Sequence, residues 1–188
     1  MMQKDIGSVM GLYPMPTTIV GTMLEDGWVN FLPIAHVGVA EHGRLMISVD
    51  TAHKLDDAAI QKNGVVSVSL IDAAMLKAVD WCGMVKAEKI DKSETFAWHM
   101  DELEKAPVVE AAPVCMTCRV EQMITVGNFH DFILKPVHTY VQEGCLNERG
   151  KIDYEKVSPV LFEFQSAQYL STGKVIAKCW NYGKDFIH

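Results

Sequence analysis

Two long segments near the middle of the chain constrain its fold more than any other feature. PVCMTCRVEQMITV, residues 113–126, alternates with a period of two. Val114, Met116, Cys118 and Val120 fall on one side of an extended chain, and Cys115, Thr117, Arg119 and Glu121 on the other. DFILKPVHTYVQEG, residues 131–144, follows the Gly127-Asn128 turn and reads as the hairpin partner.

The first half supplies more strands. TTIVGTML, 17–24, reaches the hairpin signal Asp26-Gly27, and WVNFLPIAHVGVA, 28–40, continues as strand. Pro33 cannot donate to a ladder, so it calls for a bulge or a sheet edge. His42-Gly43 turns the chain into RLMISVD, 44–50; VVSVSLI, 65–71, and VLFEF, 160–164, are further strands. Helical spacing marks HKLDDAAIQKNG, which Asn63-Gly64 stops, and DAAMLKAVDWCG, 72–83, which Asp72 can cap. Asp91 and Glu94 predict a capping box for a short helix over 93–100. Antiparallel strands with a few short helices predict a mainly β fold with α additions, a β-barrel, in one domain over 1–188.

Composition narrows the function. A charge of −7 argues against nucleic acid as the main partner. No apolar run is long enough for a membrane helix, and the first residues lack the apolar core of a secretory signal. The five cysteines, 82, 115, 118, 145 and 179, are odd in number and loosely spaced, as expected for a reduced cytoplasmic protein.

Cys115 and Cys118 form a C-x-x-C pair, but a strand sends residues three apart to opposite faces, so the reading is two packed or surface thiols and no metal site. His130 and His138 are too far apart on a strand to share a metal. There is no GxGxxG, GxxxxGK[ST] or G-x-S-x-G. In SVDTAHKL, 48–55, a helix beginning near Ala52 carries His53 and Lys54 in its first turn. Cations there oppose the helix dipole; they suit a bound phosphate, or are simply solvated.

One family carries these segments in this order: Y-P-M-P at 13–16, D-G-x-x-N-F-x-x-I-A-x-V-G from Asp26, I-S-V-x-x-x-H, I-x-x-N-G, D-x-C-G, and Y-x-x-x-G-K-x-I-x-K-x-W-x-x-G-K from Tyr169. The chain resembles the flavin reductase-like proteins with an FMN-binding split β-barrel, in particular their flavoredoxin-like branch. The resemblance implies a homodimer that binds FMN. By position, Asn30, Pro33, Ile34, Ala35 and His36 would line the flavin ring. Asp50, Thr51, Ala52, His53 and Lys54 would surround the ribityl chain and phosphate, and Cys82 and Gly83 would close one side. Tyr169 and Trp180 are read either as walls of the exposed ring face or as packing residues. Pro33 stands where a hydroxyl residue is common, and Leu55 where Ser or Thr is common.

The implied activity is NAD(P)H-dependent flavin reduction by hydride transfer through the flavin, with NADH or NADPH as a transient substrate and no side chain as general acid or base. The alternative is an FMN electron carrier reduced by a redox protein. A third reading is a fold relative that binds some other ligand.

Overall fold

The computed structural model describes residues 2–184 and 186. In chain order the strands and helices are β1 (Met15–Pro16), β2 (Thr18–Met23), β3 (Val29–Ile34), β4 (Val37–Glu41), β5 (Arg44–Asp50), α1 (Lys54–Asn63), β6 (Val65–Leu70), α2 (Leu76–Met84), β7 (Trp98–His99), β8 (Val108–Val109), β9 (Val114–Val126), β10 (Phe129–Val141), α3 (Tyr154–Val157), β11 (Leu161–Glu163) and β12 (Gln168–Leu170).

Seven strands form one antiparallel sheet in the order β3-β2-β6-β9-β10-β5-β4. The long hairpin expected from the alternating segments is β9 and β10, which pair from Val114↔Val141 to Val126↔Phe129. The two edge strands, β3 and β4, are consecutive in the chain and joined only by Ala35 and His36. Strands at opposite ends of a sheet can be that close only if the sheet curls round on itself. The result is a barrel with a seam between β3 and the β4–β5 hairpin, where the His36 carbonyl accepts from Ser48 N–H at 2.9 Å. Pro33 sits in the edge strand β3, opposite Ile19, as its missing N–H requires.

Alternation gives the sheet two apolar faces. Val20, Leu32, Ile34, Ile47, Val66, Val68, Cys118, Phe132 and Leu134 fill the barrel, together with Ile60 from α1. Burying one such side chain contributes about 1.5–3 kcal/mol. Ile19, Phe31 and Cys115 face outward, against Met75, Val79 and Cys82 around α2 and Val108–Val109 of β8. Cys115 and Cys118 therefore lie in different cores on opposite sides of one strand, and their sulfurs do not converge. Burial raises both thiols, Cys118 to about 12.

The C-terminal end of α1 follows the sequence, whereas its start lies at Lys54, two residues after the Ala52 expected, with His53 at the N-cap. Gly64 takes the left-handed conformation (φ 64°) and donates to Ile60 O, as its place after Asn63 predicts. Gly21 has a different reason. A Cβ there would lie 2.6 Å from Ser67 Oγ and 2.7 Å from Pro107 Cγ.

Two expectations need correction. The helix over 93–100 does not form; the segment is a turn followed by β7. Ser93 Oγ accepts from Val29 N–H at 3.0 Å and donates to Val29 O at 3.1 Å, and Trp98 Nε1 donates to Ser93 O. These bonds to an otherwise unpaired edge strand outweigh the local capping signal. Helix α2 also starts four residues later than expected. Asp72 accepts from Ala74 and Met75 N–H in the turn before it. No helix of the described residues is long and apolar enough to cross a membrane.

Candidate functional site

A cleft of about 220 Å³ opens at the barrel seam. One side is the end of β3 and the link to β4: Leu32, Pro33, Ile34, Ala35 and His36. The other is the end of β5 and the start of α1: Ser48, Val49, Asp50 and His53. Phe129, Phe162 and Phe164 complete it. The sequence folds this way because β3 must end where Ala35 and His36 cross to the other edge. There the Ala35 carbonyl accepts from Val37 N–H at 3.0 Å and the His36 carbonyl from Ser48 N–H at 2.9 Å.

The turn after β5 is held in three places. Thr51 N–H donates to Asn128 O at 2.9 Å, His53 N–H to Asp50 O at 2.9 Å, and Ala52 N–H to the Asp50 carboxylate at 2.9 Å. His53 occupies the N-cap position of α1, but no side chain caps the helix there. The first-turn acids do not fill that role. Asp57 accepts from Gln61 and lies 2.8 Å from Nδ1 of His130, while Asp56 is turned inward toward Asn30. An uncapped helix start beside a cleft has N–H groups directed at whatever binds there.

Of the residues assigned by resemblance, Pro33, Ile34, Ala35, His36, Asp50 and His53 line the cleft together. Thr51, Ala52 and Lys54 flank it in the same turn, with Ala52 and Lys54 exposed.

Asn30 does not reach the cleft. It is 2% exposed and donates to the Asp56 carboxylate, also buried at 5%. It pairs with Thr22 of β2, near the start of β3, and its amide faces α1. Burial pushes the Asp56 carboxyl above the usual carboxylate range, while the Asn30 amide and the charge of Lys92 pull it down. Lys92, 3% exposed, donates to Cys82 O at 2.9 Å and Phe31 O at 3.3 Å, and burial lowers its own pKa. The network ties β3 to α1 and α2.

Cys82 is likewise buried, behind β3. Gly83 is the point at which α2 touches the lining: a Cβ there would lie 3.0 Å from Pro33 Cγ. Tyr169 is half-exposed and donates to Asp80 at 2.8 Å, and Trp180 is 95% exposed. His138 pairs with Glu102 at 3.1 Å.

The sequence reading passed over Tyr13 and three phenylalanines. The Tyr13 hydroxyl is 3.0 Å from His36 Nε2, and its ring stacks on Phe164 at 6.2 Å. The His36 ring lies 5.7 Å from that of Phe129. The parity of Phe162 and Phe164 in VLFEF was the available signal; Phe129 reaches the site through its register opposite Asp50.

The profile of the flavin reductase like domain matches residues 10–170, most of the chain and the whole of the cleft. The chain belongs to the flavin reductase-like family. Its barrel and seam are those of a split β-barrel. Flavoredoxin from Methanosarcina acetivorans is similar over 100% of both chains, with 27% identity and a TM-score of 0.92. Flavoredoxin of Desulfovibrio vulgaris (Miyazaki F) is similar over 97% of this chain and 100% of its own, at 26% identity and a TM-score of 0.88. An FMN-binding protein from Thermus thermophilus, solved with 1-cyclohex-2-enone, shares the fold at 18% identity over 95% and 98% of the two chains, with a TM-score of 0.78. No curated protein matches the chain significantly.

Proposed function

We propose that this chain binds FMN in the seam cleft and acts as a flavin-dependent oxidoreductase, an NAD(P)H-driven flavin reductase. The observation that carries the reading is the juxtaposition in one cleft of the Pro33–His36 segment, at the end of the edge strand β3, and the uncapped start of α1 with His53. The first is a flat, mostly apolar strip suited to the edge of a fused aromatic ring. The second supplies backbone N–H donors and the His53 ring for one phosphate. Pro33, Ile34, Ala35 and His36 would hold the ring, and Asp50, Thr51, Ala52, His53 and Lys54 the ribityl chain and phosphate. When bound, FMN supplies the two-electron chemistry. The residues around it position it and limit its access to water. A nicotinamide nucleotide needs only the open ring face, which fits a chain without a dinucleotide fingerprint.

The cleft of a single chain is smaller than the range of about 300–1,000 Å³ typical of ligand sites. This supports a homodimer in which a second copy covers the open side.

The flavoredoxin-type electron carrier is the second reading, favoured by the two flavoredoxins at 26–27% identity. One preparation tests both. The bound flavin is extracted and run beside FMN and FAD standards; NADH and NADPH oxidation by the loaded protein is then followed. FMN with rapid oxidation of either nucleotide supports the reductase. FMN that only a redox protein reduces supports the carrier. Bound FAD alone, or no flavin taken up on titration, defeats both.

A further inference from the structure

A second concavity, a groove of about 820 Å³, lies between the N-terminal segment and the β4–β5 hairpin. Met10, Leu12 and Met15 line it from the first, Val37 and Met46 from the second, and Phe164 from the end of β11. It adjoins the seam cleft, and His36 and Phe164 border both. Its size falls within the range of about 300–1,000 Å³ typical of small-molecule sites. The reading of the cleft given above makes no use of it.

The lining selects the occupant. It holds no Asp, Glu, Lys or Arg, and Ser8 and Gln165 add only neutral groups. A nucleotide or a free FMN would bring phosphate charge for which the groove has no cation, and an ion in such a lining is costly. A flat apolar ring fits instead. The Tyr13 and Phe164 rings stack at 6.2 Å with 18° between their planes, and Met10, Met15 and Met46 supply thioethers that pack well on aromatic edges. One polar pair stands where groove and cleft join: the Tyr13 hydroxyl, which lines the groove, lies 3.0 Å from His36 Nε2. When Nε2 carries the imidazole proton and donates to the phenol oxygen, the phenol proton is free for another acceptor. The pair can therefore donate to a carbonyl oxygen that reaches the join from the groove.

We propose that the groove holds an uncharged quinone, the electron acceptor of this protein, with its ring against Tyr13 and Phe164 and one carbonyl at the Tyr13–His36 pair. This deepens the flavin-dependent reading above and rests on it: it names the second substrate. A quinone combines the required properties, being flat, neutral, apolar, reducible by two electrons and equipped with carbonyl acceptors. In the overall reaction NAD(P)H, one proton and a quinone give NAD(P)+ and a hydroquinone. The nicotinamide gives up one hydrogen with two electrons, solvent gives one proton, and the two quinone oxygens end as hydroxyls. Tyr13 stands where one of those protons is needed.

The test is calorimetric titration of tetramethyl-1,4-benzoquinone into the FMN-loaded protein. Loading first occupies the seam cleft, and the four methyl groups leave no ring position for the exposed Cys179 thiol to attack. One quinone should bind per chain. An analogue with a carboxylate-bearing chain in place of one methyl should bind at least about tenfold more weakly. Leu12→Asp and Met46→Trp, the first placing a charge in the groove and the second filling it, should each weaken the neutral quinone by a similar factor. Leu12 is 73% exposed, so its replacement leaves the fold intact. No binding, equal binding of the two probes, or binding that neither variant changes overturns the proposal.

Two further measurements separate the remaining outcomes. Light scattering on the same variants reads the other possible occupant: if both change from dimer to monomer, the groove is a contact between copies and the quinone site falls. Oxidation of NADH or NADPH by the loaded wild type should accelerate when the quinone is added, and no acceleration with either nucleotide overturns the acceptor role. Failure to take up FMN is seen before any quinone is added; it defeats the flavin reading and the acceptor role with it. FMN uptake without quinone binding defeats this inference alone.

Discussion

The Tyr13 hydroxyl lies 3.0 Å from Nε2 of His36, where the N-terminal segment meets the barrel seam. His36 is one of only two residues between β3 and β4, and it lines the cleft. Its backbone is fixed by the carbonyl bond to Ser48 N–H, so the ring has little freedom beyond rotation. Tyr13 and Phe129 set that rotation, the first by a hydrogen bond and the second by an edge-on ring contact. The phenol is thus a positioning residue, acting on the cleft through the imidazole.

Replacing Tyr13 with Phe keeps the stack on Phe164 and removes only the hydrogen bond. We expect FMN to bind more weakly by about 0.5–1.5 kcal/mol, the usual net worth of one such bond. His36→Ala should cost more, and combining the two should add little to His36→Ala alone. Fluorescence titration of FMN on the four proteins measures this. Fully additive losses would mean that Tyr13 acts on the site independently of His36.

Gly83 makes a different kind of contact. A methyl group there would press on Pro33 Cγ at 3.0 Å, and Pro33 is part of the cleft lining. Gly83 is exposed, so the backbone around it is not otherwise crowded. Gly83→Ala should therefore weaken FMN at least threefold while changing unfolding stability by less than about 1 kcal/mol, the scale at which helix propensity favours Ala over Gly. Denaturant midpoints beside flavin titrations separate the two effects. A large loss of stability with normal flavin affinity would move the strain into the core.

The buried pair of Asn30 and Asp56 predicts a dependence on pH. Burial raises the Asp56 carboxyl above its ordinary value, so the folded chain takes up that proton more readily than the unfolded one. Stability from this group is full below the unfolded pKa and is lost as pH rises through the folded pKa. Other carboxylates contribute with the opposite sign: Glu25 and Glu41 are lowered by their bonds to Lys62 and Arg44. The difference between wild type and Asp56→Asn isolates the term, since Asn keeps an acceptor for Asn30. Wild type should gain on the variant as pH falls from neutral into the carboxylate range. Urea midpoints across that range give the comparison, and a difference that moves the other way would show Asp56 already ionised and stabilising.

The barrel was legible in the sequence because its evidence is local. Period-two alternation gave β9 and β10, Gly127-Asn128 gave the turn between them, and Asn63-Gly64 gave the end of α1. The two faces of Cys115 and Cys118 followed from parity alone. Asn30 shows where such reading stops. A polar residue in an apolar strand signals that something satisfies it, but not whether the partner is a ligand or Asp56, 26 positions away and brought back by α1. The 93–100 segment failed for a similar reason. Its capping signal is local, whereas the bonds that decide its shape run from Ser93 to Val29 across 64 positions. Tyr13 and His36 meet across 23 positions through the closing of the seam, and no spacing rule announces that contact.

His53 tests the phosphate end of the cleft. The chain is acidic, and Asp50, Asp56 and Asp57 all lie within a few residues of the start of α1. Asp56 and Asp57 are turned to Asn30 and to Gln61 and His130, while Asp50, which accepts from Ala52 N–H, lines the cleft. The donors at this end of the cleft are therefore the uncapped helix start and the His53 ring. His53→Ala should weaken FMN by about 1–3 kcal/mol, the scale of a hydrogen bond to a charged group. Riboflavin, which lacks the phosphate, should lose far less. The loss for FMN should also shrink as salt is raised, because an exposed charge contact is screened. Paired titrations of FMN and riboflavin on wild type and variant, at low and high salt, measure all three. Equal losses for the two ligands would mean that His53 holds the turn rather than the phosphate, and an unchanged FMN affinity would place the phosphate away from α1.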